Sequence, residues 1–339
     1  MIPHRILDIA ALEAAIGSFP PAAALKVIPY LDRGACDWIA RSPLFFVMFA
    51  DERATAITPG ASAGRGSLMI TANGRELLIP LSSLDQTDHA GSGAAFASLF
   101  LLPGIGETLR VNRTVVGIQD GMLRVTVTEC YGHCAKALIR SEFWLPPAPV
   151  AVPEDAAFIQ AVRFIVLATA SAQLHADLSP KGDPASLMVQ SDDDALLFAD
   201  RPGNRRLDSF RNIVERPQVA MALLVPGSTK IAIAEGVAAI TTDPALRRRF
   251  DVSGRTPSVV VRIALAQMEV TDSPALASAH LWPVRPVSDI DPAKLFVEHV
   301  RSNRADGAAA ALTRAALSVP GAADLLRRGL EKDYTENLY

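Results

Sequence analysis

Apolar and polar positions along most of the chain follow each other in short blocks that are typical of β-strands. Four such blocks (67–70, 76–80, 96–103 and 123–129) are rich in apolar and β-branched residues, with Gly, Asn or Asp between them. The segment QSDDDALLF at 190–198 predicts a hairpin with its three aspartates at the turn. Because few helical patterns separate these strands, the sequence predicts a mainly β protein built from closed or partly open antiparallel barrels.

Helical patterns occupy a smaller part of the chain. The segments 11–19, 208–215 and 243–250 are predicted helices, and Asp243 before a proline is a favourable start for the last of them. The region 291–332 is rich in Ala, Leu and Arg at helical spacing, so the sequence predicts a helical C-terminal tail. The last four residues, ENLY, match the beginning of the tobacco etch virus protease recognition sequence, and they carry no weight in this prediction.

The two halves of the chain are similar to each other. FFVMFA at Phe45 is similar to FIVLAT at Phe164, and GSLMITANGRELLIP is similar to ASLMVQSDDDALLFA, both at a separation of 119 residues. LFLLPG ending at Gly104 matches ALLVPG ending at Gly227, 123 residues apart. A repeat of this length indicates a tandem duplication. The predicted organisation is a first unit at 1–144, a Pro-rich linker at 145–153, a second unit at 154–284 and a helical extension at 285–339.

Length and composition limit the classes of function. A chain of 339 residues favours two domains, and a net charge of −3 argues against a nucleic-acid partner. The longest apolar runs fall far short of the ~20 residues that cross a bilayer, so no membrane partner is expected. No signal-peptide pattern is evident at the start, and three cysteines cannot build a disulfide framework. We therefore expect a cytoplasmic protein.

A basic cluster gives the strongest indication of chemistry. The segment DRPGNRRLDSFRN (200–212) places Arg205 and Arg206 at a turn that enters a predicted helix. Guanidinium groups beside the free N–H groups of a helix N-terminus favour binding of phosphate. Upstream, LSPKGDP places Ser179 and Lys181 on a predicted hairpin turn. The alternative is that these charges are solvated, as Arg and Lys at turns commonly are.

These segments resemble the pyridoxamine 5′-phosphate oxidase-like superfamily, whose fold is the FMN-binding split barrel. The Ser-Pro-basic-Gly-Asp and Arg-Pro-Gly-Asn-Arg-Arg segments are most similar to a bacterial branch that binds FMN. The resemblance implies that Arg205 and Arg206 hold the FMN phosphate, with Asn204 where the family has a small hydroxyl residue. The cofactor-binding residues that it implies in the second unit are Ser179, Lys181, Gly182, Asp200, Arg201, Asn204, Arg205, Arg206 and Ser209.

The first unit differs at the matching positions. Gln86 and Thr87 stand where the second unit has its two phosphate arginines. The first unit keeps CYGHCAKALIRSEFW, which is similar to the C-terminal signature of the same branch and implies that His133, Lys136 and Arg140 face the flavin. Split-barrel flavoproteins are usually homodimers with FMN between subunits. Fusion of two such units predicts an intramolecular pseudo-dimer with one composite FMN site and one degenerate cleft.

Weaker patterns leave alternatives open. Cys130, His133 and Cys134 lack further ligands at regular spacing, so no metal site is predicted. Lys136 and Arg140 would alternatively form surface salt bridges. The two tryptophans at the ends of the repeats, Trp144 and Trp282, are expected to pack in a core or an interface.

The resemblance implies an FMN-dependent oxidoreductase that acts on an unidentified small molecule, with no catalytic residue assigned. The alternative is a non-catalytic flavin, deazaflavin or haem-binding protein on the same fold, in which His133 or His175 would be the haem ligand. Two chains could also form a homodimer beyond the internal pseudo-dimer. The C-terminal helices are expected to pair two chains or to cap the second barrel.

Overall fold

The protein contains two antiparallel sheets of the same size. The structure is a computed structural model that describes residues 4–20, 24–64, 66–145, 156–203 and 206–339. The first sheet has seven strands, namely β1 (Leu44–Ala50), β2 (Thr55–Ala61), β3 (Met69–Ile70), β4 (Glu76–Pro80), β5 (Ala95–Leu101), β6 (Thr108–Gln119) and β7 (Met122–His133). The second also has seven, namely β8 (Phe164–Ala170), β9 (Ala176–Gly182), β10 (Gln190–Asp192), β11 (Ala195–Ala199), β12 (Gln218–Leu224), β13 (Lys230–Thr241) and β14 (Val260–Asp272).

The two sheets share one topology. The strand order is β2-β1-β5-β6-β7-β4-β3 in the first and β9-β8-β12-β13-β14-β11-β10 in the second. Each strand of one sheet therefore has a counterpart at the same position in the other. This identity supports the predicted tandem duplication and confirms a mainly β fold with two split-barrel-like units. We call the first sheet with its helices the first unit, and the second sheet with its helices the second unit.

The alignment of the first strands is wrong by one residue. Phe45 packs inside the first unit, whereas Phe164 packs between the units. The residue equivalent to Phe164 is Leu44, which also lies between the units, and Ile165 inside the second unit is equivalent to Phe45. Because successive side chains of a strand point to opposite faces, a shift of one residue exchanges the core face for the interface face. The separation is therefore 120 residues at this strand.

Ten α-helices and a short 3-10 helix at Leu81–Ser83 lie outside the sheets in the described residues. The α-helices are α1 (Ile9–Ile16), α2 (Arg33–Arg41), α3 (Lys136–Arg140), α4 (Ala156–Ala161), α5 (Asp208–Glu215), α6 (Pro244–Arg248), α7 (Pro274–Ala279), α8 (Pro292–Ser302), α9 (Ala308–Leu317) and α10 (Ala322–Glu336). None of these helices is long and apolar enough to span a bilayer. The predicted linker lies outside the described residues from position 146 onward.

Local signals set several helix ends. α5 has the predicted bounds. α1 begins two residues earlier than predicted because Asp8 accepts a hydrogen bond from the Ala11 N–H at 2.7 Å, and it ends at Gly17, whose φ is 85°. α2 was not predicted from the sequence, although Asp32 caps it in the same way through the Ala35 N–H at 2.8 Å.

An aromatic cluster fills the interface between the units. The Phe143 ring lies 4.8 Å from the Phe164 ring and 5.3 Å from the Trp282 ring, measured between centroids. The indole N–H of Trp282 donates to the Phe143 carbonyl at 2.9 Å. Trp144 packs against the same cluster, and its indole donates to the Ile105 carbonyl at 2.7 Å. The expected packing role of both tryptophans is confirmed, and their polar atoms are satisfied within the interface.

The ends of the chain cross over between the units. Leu12 of α1 packs into the core of the second unit. Leu295 of α8 packs into the core of the first unit. Of the two alternatives for the C-terminal helices, capping of the second barrel is wrong for α8, because its apolar face covers the first unit.

Short helices link each unit to the other. α3 of the first unit packs on β9 of the second, and α7 of the second unit packs on β2 of the first. The α3 contact is so close that a Cβ on Gly182 would lie 1.8 Å from the Ala137 carbonyl oxygen, so this position requires glycine. The two contacts are related by pseudo-two-fold symmetry and define two clefts between the units.

Candidate functional site

The two units enclose a cavity of about 710 Å³, which we call the main cavity. Nine of the twelve residues singled out in the sequence line it, namely His133, Lys136, Arg140, Ser179, Lys181, Gly182, Asp200, Arg201 and Arg206. Ser209 is buried on α5 and donates to Asp177 instead. Asn204 and Arg205 lie outside the described residues. Residues that are far apart in the sequence thus meet at one place.

The predicted hairpin turn at Ser179 and Lys181 is wrong. Both residues lie in β9, where Ser179 pairs with Leu167 of β8. β9 is an edge strand, so Pro180 between them is tolerated although it has no N–H to donate. The Lys181 ammonium lies 4.6 Å from the centre of the Phe210 ring. Burial lowers the pKa of Lys181 and raises the pKa of Asp200 across the cavity, while each charge partly offsets the effect on the other.

Arg201 and Arg206 are not solvated. Arg201 Nε donates to Asp183 Oδ2 at 2.6 Å, and the two side chains are 6% and 2% exposed. Arg206 Nε donates to Asp208 Oδ2 at 2.7 Å, with 10% of the Arg206 side chain exposed. Within the described residues, Arg201 Nη2 and Asp183 Oδ1 have no hydrogen-bond partner. Because buried polar atoms are nearly always paired, these two atoms have unmet hydrogen-bonding capacity.

Arg140 joins the first unit to both walls of the main cavity. Its Nε donates to the Gly182 carbonyl at 2.9 Å, and its Nη1 donates to the Pro202 carbonyl at 3.1 Å. The alternative of a surface salt bridge is wrong for Arg140, which is 7% exposed. Lys136 does form a salt bridge, at 2.8 Å to Asp333 of α10, but with only 4% of its side chain exposed. Arg140 therefore contributes positive charge to the cavity and also holds its two walls in place.

His133 places an imidazole in the main cavity. Burial lowers its pKa well below the usual value, and the positive charges of Arg110 and Lys26 lower it further. The ring is therefore neutral at physiological pH. Its Nδ1 has no hydrogen-bond partner among the described residues. No cluster of metal-ligating side chains occurs in the described parts of the chain.

Comparison with known proteins gives a family match for the second unit. Residues 151–272 match the sequence model of the pyridoxamine 5′-phosphate oxidase family. The second unit is a pyridoxamine 5′-phosphate oxidase-like domain. The resemblance noted in the sequence is thus confirmed. No curated protein matches the chain.

Several solved structures are similar to parts of the chain. HupZ from Group A Streptococcus is 15% identical over 36% of this chain and 96% of that chain, with a TM-score of 0.29. General Stress Protein 26 from Bacillus anthracis is 21% identical over 34% of this chain and 89% of that chain, with a TM-score of 0.27. HutZ, the heme storage protein from Vibrio cholerae, is 14% identical over 33% of this chain and 89% of that chain, with a TM-score of 0.25.

The last residues of the chain enter the main cavity beside the oxidase-like domain. Lys136 Nζ donates to the Asn337 carbonyl at 2.9 Å, and Arg140 Nη1 donates to the Leu338 carbonyl at 2.8 Å. The Tyr339 ring centre lies 5.5 Å from the guanidinium of Arg201. These contacts occupy donors that the sequence assigned to a ligand, and no sequence signal indicated them.

The opposite cleft has a different chemistry. Gly60 of β2 pairs with Leu84, which follows β4, so a backbone bridge joins these two segments of the first unit. The equivalent segments of the oxidase-like domain are β9 and the residues after β11, and they line the main cavity. Asp85 then accepts hydrogen bonds from Ser273 at 2.5 Å and from the Ala275 N–H at 2.8 Å, and thereby caps α7. A helix-capping carboxylate thus occupies the region where the oxidase-like domain has arginines. This arrangement supports the predicted degeneracy of that cleft.

A second cavity of about 590 Å³ lies beyond Arg206, which lines both cavities. His175 lines this second cavity and not the main one. Tyr131 also lines the second cavity, and Lys26 and Arg110 lie beside its ring; none of the three was a candidate from the sequence. Arg110 could have been found, because it is a lone charge between Leu109 and Val111 in a strand pattern, whereas Lys26 carries no such signal.

Proposed function

We propose that the chain binds FMN in the main cavity and uses it to oxidise or reduce a small molecule. The observation that carries the proposal is a cavity to which both units contribute cations, Arg140 from the first and Lys181 and Arg201 from the second. Its volume of about 710 Å³ is within the usual range for cofactor sites. A flavin nucleotide joins a dianionic phosphate to a flat polar ring system, and a cationic cavity with buried polar atoms suits both parts.

The chain has suitable groups for each part of the nucleotide. Arg206 lies next to Leu207, the N-cap residue of α5. The Leu207 side chain makes no capping hydrogen bond. Among the described residues, no N-cap side chain accepts a hydrogen bond from the first N–H groups of α5, and such groups favour phosphate. At the ring end, His133 Nδ1 and Arg201 Nη2 have unmet hydrogen-bonding capacity within the described residues. Both would bind the ring edge or an anionic substrate.

The roles of the protein residues in this proposal are binding and orientation. Bound FMN supplies the redox chemistry. Arg140 holds the Gly182 and Pro202 carbonyls in place and so keeps the walls of the cavity at a fixed separation. The Lys181 ammonium adds positive charge near the ring. The neutral His133 provides a polar contact that does not change its charge at physiological pH.

The test is the flavin content of the purified protein. We expect one FMN per chain, seen after release as absorbance near ~450 nm. The double variant Arg205→Ala/Arg206→Ala should lose the flavin, whereas the charge-matched control Arg304→Ala/Arg328→Ala, at exposed positions, should retain it.

Other outcomes would overturn the proposal. Two FMN per chain would overturn the expectation of a single site, because the opposite cleft would then also bind flavin. A Soret band near ~400 nm would indicate haem, and a single band near ~420 nm would indicate a deazaflavin. In the haem case, His133 is the candidate ligand in the main cavity. No chromophore after reconstitution would contradict a flavin site altogether.

A further inference from the structure

Two buried cations and one largely buried arginine surround one tyrosine ring where the units meet. The centre of the Tyr131 ring lies 5.7 Å from Lys26 Nζ, 5.7 Å from Arg110 Cζ and 4.3 Å from Arg206 Cζ. We call Lys26, Arg110, Arg206 and Tyr131 the Tyr131 cluster. We propose that this cluster binds the phosphate of the flavin nucleotide, so that Lys26 and Arg110 of the first half of the chain complete a phosphate site that the sequence assigned to the second unit alone.

The charges of the cluster do not balance. Asp177 pairs with Arg110 at 2.5 Å, and Asp208 pairs with Arg206 at 2.7 Å. No carboxylate forms an ion pair with Lys26 within the described part of the chain, although Lys26 is only 6% exposed. Among the described residues, Arg110 and Arg206 thus each have a carboxylate partner in an ion pair, and Lys26 is the cation of the cluster without one. Buried positive charge without a counterion is costly, and a phosphate would supply the missing negative charge.

Two N–H groups of Arg110 have no hydrogen-bond acceptor among the described residues. Its side chain is 1% exposed, and its Nη1 donates to Asp177 and, at 3.1 Å, to the Tyr131 hydroxyl. Its Nε and Nη2 are buried and have no hydrogen-bond partner among the described residues. Buried guanidinium N–H groups are rarely left in this state. Two adjacent donors of this kind match two oxygens of a phosphate.

The fold holds Lys26 in place through elements from both ends of the chain. Ile28 and Cys130 exchange two backbone hydrogen bonds, of 3.1 Å and 2.8 Å, so the segment that carries Lys26 runs beside the strand that carries Tyr131. His299 of α8 is fully buried, and its Nδ1 lies 3.2 Å from the Lys26 carbonyl oxygen. The C-terminal extension therefore contributes to positioning Lys26, which gives α8 a role beyond packing.

The position of the cluster fits one nucleotide with its ring in the main cavity. Arg206 lines the main cavity and belongs to the cluster. His133 lines the main cavity two residues along β7 from Tyr131. A phosphate at the cluster and a ring beside His133 would thus lie at two ends of one ligand. The inference rests on the proposed function, because it takes the flavin phosphate as the anion.

The test compares FMN with riboflavin, which lacks the phosphate. Dissociation constants for both are measured by flavin fluorescence in the full-length flavin-free protein and in Lys26→Met. We expect Lys26→Met to weaken FMN binding by about 10- to 100-fold and to leave riboflavin binding unchanged. Lys26→Arg, which keeps the charge, should restore most of the preference for FMN. Lys294→Met on the exposed face of α8 is the control and should behave as wild type.

The outcomes separate the inference from the proposed function. If wild type binds FMN and Lys26→Met keeps the same FMN-to-riboflavin ratio, the inference is overturned and the proposed function stands. Thermal melting with inorganic phosphate as the ligand covers the case in which no flavin binds. Stabilisation of wild type but not of Lys26→Met would then support an anion site and reject the flavin. No stabilisation of either protein would overturn both.

Discussion

Arg110 of the first unit and Asp177 of the second form an ion pair of 2.5 Å, with side chains that are 1% and 5% exposed. Ser209 of α5 donates to the other oxygen of Asp177 at 2.5 Å. One carboxylate therefore ties β6 of the first unit to β9 and α5 of the second. Asp177 lines the second cavity, and Arg110 belongs to the Tyr131 cluster, so the stability of the interface and the geometry of the proposed phosphate site depend on the same pair.

Removing this carboxylate should destabilise the protein strongly. Asp177→Asn leaves Arg110 buried without its counterion, and loss of one partner of a buried pair costs about 3–5 kcal/mol. The free energy of unfolding from urea titration measures the effect. Glu76→Gln, which breaks the more exposed pair of Glu76 with Arg124, is the control and should cost less than ~1 kcal/mol. Equal losses in the two variants would contradict a dominant role for the buried pair.

Lys26→Met should stabilise the flavin-free protein at neutral pH. Burial, together with nearby Arg206 and Arg110, lowers the pKa of Lys26 to about 8, although Cys134 and Asp208 oppose this shift. The unfolded chain binds this proton more tightly, so wild-type stability should rise with pH between about 8 and 10.5. Below that window the buried charge is a penalty, and its removal should add on the order of 2–3 kcal/mol.

Denaturation at neutral pH and near ~pH 10 checks this expectation, because the advantage of Lys26→Met should shrink as the wild-type amine loses its proton. A variant that is less stable than wild type at both pH values would show that the lysine is not a destabilising charge. Such a result would also weaken the case that the Tyr131 cluster lacks a counterion.

His133 should make the protein less stable in mild acid. Burial, together with Arg110 and Lys26, holds its folded pKa well below the ordinary histidine value of 6.5. Because the unfolded imidazole takes up a proton near 6.5 and the folded one does not, stability should fall as the pH drops through this value. NMR titration of the imidazole signals should show His133 neutral at pH values where an ordinary histidine is half protonated. A midpoint for His133 at the ordinary value would contradict the prediction.

Arg140→Ala should weaken FMN and riboflavin binding to the same extent. Arg140 donates to the Gly182 and Pro202 carbonyls, so its loss relaxes the walls of the cavity that hold the ring. We expect a loss of about 10-fold or more for both ligands, measured by fluorescence titration. This pattern differs from that of Lys26→Met, which should affect FMN alone. A selective loss of FMN in Arg140→Ala would instead place the phosphate beside Arg140.

Removing residues 336–339 should strengthen FMN binding. The Asn337 and Leu338 carbonyls accept hydrogen bonds from Lys136 and Arg140, and Tyr339 lies against Arg201. A ligand that uses these donors must displace the segment, so its removal should lower the FMN dissociation constant several-fold. The salt bridge of Lys136 with Asp333 remains in the shortened chain. Weaker FMN binding after removal would show that the segment forms part of the site.

The sequence by itself determined the features that depend on local patterns. Apolar blocks between turn residues predicted most strands, and the bounds of α5 followed from its sequence alone. The repeated segments revealed the duplication, and the arginines before α5 predicted a site for an anion. Each of these signals lies within a short stretch, where propensity and periodicity act directly.

The tertiary structure decided which face of each strand is buried and which charged side chains lie next to each other. Phe45 and Phe164 look equivalent in sequence, yet they face different cores, because only packing between sheets fixes which face is buried. Ser179 belongs to a strand because its backbone pairs with β8. The Tyr131 cluster joins Lys26 to Arg206 across the chain, and no local pattern contains such a contact. Long-range packing places those charges together, and the site depends on that placement.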